Sequence, residues 1–175
     1  MTAPLPPEPS GRPVEGASWE VARELMLAYQ VADPGIVRAT YRRDAPLAGR
    51  DMLLQIRWLG LRFHVGVRVG EVYDRTVEVD GQGARVFGWE YRTLEGHFEE
   101  GQMHYEVWKW PESGHVEFRL HAFSRAARSG PRLLRLGFRL VGRRNQVRFY
   151  QQICHRMRRL TEAELEVRQG GRAPS

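Results

Sequence analysis

The chain has 175 residues, a formal net charge of +6 and a single cysteine, Cys154. That length suits one domain burying roughly 70% of its unfolded surface, and one cysteine excludes an internal disulfide framework. No basic segment followed by an apolar run opens the sequence, and no uninterrupted apolar span reaches roughly 18 residues. Neither a secretory signal nor a membrane-crossing helix is therefore expected, and the expected location is cytoplasmic.

Residues 1–17 hold five of the ten prolines and almost no large apolar side chain, so a disordered tail is expected there. A single domain over 18–165 follows, and a second disordered tail over 166–175. Ser18 has the character of a helix N-cap, with Glu20 in the first turn complementing the dipole. Ala22, Leu25, Met26 and Tyr29 then share one helical face. Asp33-Pro34-Gly35 has the chemistry of a stop.

The middle of the chain reads as antiparallel strands. Ile36–Arg42 and Met52–Trp58 are short; Leu61–Tyr73 alternates clearly, with Leu61, Phe63, Val65, Val67 and Val69 on one side. Asp80-Gly81 marks a tight turn before Ala84–Thr93, on which Phe87, Trp89 and Tyr91 share a face. Pro111–Gly114 separates Met103–Trp110 from His115–Phe123. No helical pattern interrupts these strands, so the sheet is antiparallel and one face needs a cover from elsewhere.

The cover is a helical region near Pro131–Leu160. Between Arg125 and Arg159 there are eleven arginines and no Asp or Glu, while the rest of the chain is net negative. Arg125, Arg128, Arg132, Arg135, Arg139 and Arg143 fall within about 80° of one helical face at 100° per residue. Val147, Tyr150, Cys154 and Met157 occupy the same arc further on. One straight helix cannot bury both stripes against one sheet, so a kink or break is expected between Gly137 and Arg144. Thr161-Glu162-Ala163-Glu164 has capping-box spacing and marks a further short turn.

Gly66-Val67-Arg68-Val69, then Tyr91-Arg92-Thr93-Leu94-Glu95-Gly96-His97 and Glu99-Glu100-Gly101, followed by Ala122-Phe123-Ser124-Arg125 and Gln146, form an ordered set. With these motifs the chain resembles the domain-of-unknown-function family nineteen-ninety, placed among START-like, helix-grip (Bet v 1-like) proteins. The resemblance covers roughly Trp19 to Leu160. Arg92, Phe98, Ala126 and Gln102-Met103 depart from its pattern. It implies an α+β helix-grip fold, a curved antiparallel sheet wrapped around a long C-terminal helix with a cavity between them. It implies no activity.

Three functions compete. In the first, a small, largely apolar ligand lies between sheet and helix. Arg68, Trp89, Tyr91, Thr93, His97, Glu100, Phe123, Ser124 and Arg125 are the candidate lining residues, because they combine aromatic surface with a few polar groups. In the second, Arg128, Arg132, Arg135, Arg139 and Arg143 hold an anionic surface, nucleic acid or acidic lipid headgroups. In the third, His97 with Glu99 or Glu100 forms an acid–base pair in an enzyme. The six histidines show no HxxxH pair and no cysteine partner, so no metal or cofactor is expected. Cys154, on an apolar helical face, reads as an inert buried thiol. An oligomeric assembly is compatible with the charge split between the two parts of the chain.

Overall fold

The computed structural model describes residues 1–58, 60–94, 99–126 and 132–171, with the side chains of 58, 99–100, 124–126 and 132–146 left aside. Its elements in chain order are β1 (Thr2–Leu5), α1 (Ser18–Leu27), β2 (Val37–Tyr41), β3 (Asp51–Trp58) and β4 (Leu61–Val79). They continue with β5 (Gln82–Thr93), β6 (Glu99–Lys109), β7 (Val116–Ala126) and α2 (Arg132–Gly170). The strands form one curled antiparallel sheet in the order β1-β7-β6-β5-β4-β3-β2. The class is α+β, as the sequence implies.

Alternation explains which side of each strand is buried. Val65, Val67 and Val69 of β4, Phe87, Trp89 and Tyr91 of β5, Tyr105 and Val107 of β6, and Phe118 and Leu120 of β7 all join one core. In β4 a bulge between Val69 and Val72 shifts the register, so Val72 rather than Glu71 pairs with Trp89. The β4–β5 hairpin turns at Asp80 (φ 52°) and Gly81 (φ 76°), both left-handed as a two-residue hairpin loop requires.

The first segment corrects the sequence reading. Residues 1–17 are not a free tail: β1 pairs with β7, aligning Ala3 with Phe118 and Leu5 with Val116, and Ala3 and Leu5 are buried. Glu8 then enters the interior. Its carboxylate accepts from Lys109 Nζ at 2.5 Å, from Trp19 N at 2.7 Å and from Val14 N at 3.2 Å. The Glu8 and Lys109 side chains are 1% and 0% exposed. Glu8 thus caps α1 from outside the helix, whereas Ser18, expected as the cap, is already helical and its hydroxyl has no partner among the described residues. Composition misleads here because one carboxylate with three donors, together with four strand residues, fixes a proline-rich segment that carries little apolar surface.

In α2 the break expected between Gly137 and Arg144 and the further turn expected at Thr161 are both absent. The helix is unbroken from Arg132 to Gly170, about 58 Å at 1.5 Å per residue. Its described buried face comes from Ile153, Cys154, Met157 and Thr161, while Val147 is exposed. The stripe of the second half is therefore buried without a break in the helix. Thr161 starts no new turn; its hydroxyl donates to Met157 O within the helix at 2.8 Å. Past residue 165 the helix continues, and Arg168 pairs with Glu24 of α1 at 2.5 Å.

Replacing Lys109 with methionine leaves Glu8 buried without its cation, and the expected loss is about 3 kcal/mol or more in urea unfolding. The double variant Glu8→Gln with Lys109→Met recovers most of that loss, because no uncompensated charge remains.

Candidate functional site

The inner face of the sheet beneath α1 gathers the aromatic side chains. Cross-strand register sets Trp89 beside Tyr105 and Tyr105 beside Leu120, with the row of Tyr91, Met103 and Ala122 next to it. Ring centroids lie 5.1 Å apart for Trp89–Tyr105, 6.2 Å for Trp89–Tyr91 and 6.0 Å for Tyr91–Tyr105. From the helix side Tyr29 joins them, 6.1 Å from Trp89 and 6.4 Å from Tyr91.

Tyr29 reaches that position through an uncommon backbone. Helix α1 ends in a Schellman-type cap, with Gln30 N donating to Leu25 O and Tyr29 N donating to Met26 O. The residue at its left-handed position is normally glycine; here Tyr29 holds φ 54°. A non-glycine residue there costs of order 1 kcal/mol, tolerated only where the surroundings fix it. The conformation turns the ring into the core.

The hydroxyls find acceptors in one another and in a thioether. Tyr91 donates to the thioether sulfur of Met103 at 3.0 Å, and Tyr105 to the same atom at 3.7 Å. Hydrogen bonding links the hydroxyls of Tyr29, Tyr91 and Tyr105 to one another. Burial raises all three phenol pKa values above the ordinary 10.0, and mutual interactions push those of Tyr29 and Tyr105 further up. All three are neutral donors at physiological pH. Trp89, 1% exposed, has an indole N–H with no partner among the described residues, and so have Trp19 Nε1 and Arg23 Nε on α1.

Several residues nominated from sequence lie elsewhere. Arg68 alternates with Val67 and Val69, so it points away from the core, exposed and paired with Asp51 at 2.7 Å. Phe123 sits on the outer side at 63% exposure. Trp89 and Tyr91 are on the inner face; Thr93, half-buried, accepts from Gly101 N at 2.9 Å and holds the β5–β6 end together. His97 and Arg128 lie outside the described residues. So do the side chains of Glu99, Glu100, Ser124, Arg125, Arg132, Arg135, Arg139 and Arg143, although their backbones belong to β6, β7 and α2. Tyr29, Met103, Tyr105, Trp19 and Arg23 were missed as site residues. For Tyr105 the signal was present, since it shares strand parity with Met103 and opposes Trp108.

The outer face has a polar, tied centre beside a second apolar cluster of Ala84, Val86 and Trp108. Glu90 meets Arg92 at 3.0 Å and His104 at 2.7 Å and accepts from Gln102, in space that a side chain at Gly70 would occupy. Glu106 accepts from Tyr73 and, at 2.9 Å, from Trp108 Nε1. Gly88 leaves room for the Tyr73 ring, since a Cβ there would come within 2.6 Å of it. Burial raises the pKa of the Cys154 thiol, which leaves little thiolate for nucleophilic chemistry.

Because the folded-state pKa values of Tyr29, Tyr91 and Tyr105 exceed those of the unfolded chain, their contribution to stability is complete below pH 10.0. It is lost as pH rises beyond that value. In an alkaline titration followed by tyrosinate absorbance, these three phenols are expected to ionise together with loss of near-UV circular dichroism. Smooth ionisation of all six tyrosines in a folded protein would contradict the cluster.

The sequence profile of a family described as Domain of unknown function (DUF1990) matches residues 10–156. No curated protein and no solved structure matches the chain.

Proposed function

The chain belongs to the DUF1990 family, and we propose that it is a binding module for a small, largely apolar ligand. In this reading the fold is a START-like helix grip, with the ligand between the inner face of the curled sheet and the helices. One observation carries the proposal: on this buried aromatic surface the indole N–H of Trp89 has no acceptor among the described residues. Beside it the Tyr29, Tyr91 and Tyr105 hydroxyls bond one another, and those of Tyr91 and Tyr105 also donate to one thioether sulfur.

A buried donor without an acceptor costs about 1–3 kcal/mol, and sulfur is a weak acceptor. Such a cost is tolerated where a ligand oxygen offsets it, and the left-handed strain at Tyr29 supports the same reading. The buried row of Trp89 and Tyr105 gives way to half-buried Met103 and Thr93 and exposed Ala122, the end at which a ligand would enter. Orientation would come from Tyr91, Tyr105 and Trp89, with apolar contact from Phe118, Leu120 and Val69.

Titration with decanol tests the reading. A ligand present at about 100 times its Kd adds about 2.7 kcal/mol, roughly 5–10 °C in Tm for a chain of this size. Saturable quenching of indole fluorescence that weakens in Tyr105→Phe and Trp89→Phe is expected. Absence of saturable binding by decanol and by longer or shorter alcohols would reject the proposal.

A further inference from the structure

The donors on α1 add a charge to this picture. Helix α1 projects Trp19 and Arg23, one turn apart, from the same face. The Arg23 guanidinium lies over the ring of Phe87, 4.8 Å from its centroid, and Phe87 is a buried member of the inner face. Trp89 follows two residues along the same strand, roughly 7 Å further on the same side. Arg23 Nε, Trp19 Nε1 and Trp89 Nε1 are three buried N–H groups without partners among the described residues, two on α1 and one on the strand whose Phe87 ring Arg23 covers.

Other arginines of the described structure show the contrast. Arg68, Arg85, Arg92, Arg119, Arg158 and Arg168 each have a carboxylate within 4 Å. Among the described residues none lies within that distance of Arg23; its nearest ionic neighbourhood is an aromatic face. The carboxylate that serves the end of α1, Glu8, is already committed to Lys109, Trp19 N and Val14 N.

We propose that the ligand is an acidic amphiphile, an apolar chain or ring carrying a carboxylate that Arg23 and the indole N–H groups of Trp19 and Trp89 receive. This deepens the binding-module reading and rests on it. A carboxylate offers two coplanar oxygens, matching a guanidinium edge and adjacent indole donors. Among the described residues one cation, Arg23, is placed at the site, so a monoanion is balanced while a dianionic phosphate brings a second, uncompensated charge into the interior. The apolar part lies along Trp89, Tyr105 and Leu120 toward the Met103 end, and the tyrosine hydroxyls accommodate any further oxygen.

Decanoate and decanol, equal in chain length, separate the head group from the tail. At neutral pH decanoate is expected to bind the wild-type chain about tenfold more tightly than decanol, the scale of one hydrogen-bonded charge. Arg23→Gln is expected to bring decanoate down to the affinity of decanol without changing decanol, and Arg23→Lys to restore part of the difference. Near-UV circular dichroism and Tm of each variant establish that it is folded; the wild-type ratio stands even if Arg23→Gln is not. Equal binding of the two ligands by the wild type, or decanoate affinity indifferent to both substitutions, overturns the acidic-ligand inference and leaves the binding module intact. Binding of neither overturns both.

Discussion

The ion pair between Glu8 and Lys109 is the constraint from which the interior geometry follows. Lys109 Nζ also donates to Pro9 O at 3.0 Å, so one ammonium anchors both a side chain and the backbone of the leading segment. Glu8 N donates to Gly114 O, and Glu8 O lies 1.9 Å from where a Cβ on Gly114 would stand. The β6–β7 turn therefore accepts this segment because residue 114 lacks a side chain and holds φ 72°. The same carboxylate caps α1, so the helix axis starts at a fixed point over the end of β6. Arg23 then lies against Phe87, and Tyr29 against Trp89 and Tyr91, as the helix advances along the sheet. Desolvation of two charges offsets much of their attraction, so the pair contributes more to position than to stability.

Strand parity divides the molecule a second time. The inner side holds aromatic rings with few acceptors, while the outer side holds Glu90 and Glu106 with their donors already engaged. The β4 bulge makes this division possible at the centre of the sheet. It directs Val72 inward and leaves Gly70 beside Glu90 and Tyr73 above Gly88. Two glycines and one extra residue thus separate a satisfied polar layer from a donor-rich core. In the proposed reading that asymmetry favours the inner face for the ligand: saturated carboxylates have little left to offer one.

Much of the fold was legible because it depends on period-two alternation and turn chemistry. Val65, Val67 and Val69 announce their buried side, and Asp80-Gly81 announces its hairpin. Arg68 follows from the same rule, since a residue between two core valines must face outward, although a family motif drew it into the candidate set. The leading segment was not legible: its docking depends on Glu8 finding Lys109 about a hundred positions away, and no local pattern encodes that. Tyr29 was read correctly as core but its left-handed backbone was not, because that position ordinarily carries glycine. Arg23 stayed hidden for a related reason. An arginine on an amphipathic helix reads as solvated surface until the partner beneath it proves to be a phenyl ring rather than a carboxylate.

Lys109 is the only lysine in the chain, and its side chain is wholly enclosed. The folded molecule consequently displays no ε-amine: lysine acylation, lysine methylation and ubiquitin transfer to lysine find no target on it. Opening of the structure creates that target. Such tagging of this chain would therefore mark unfolded copies and spare native ones.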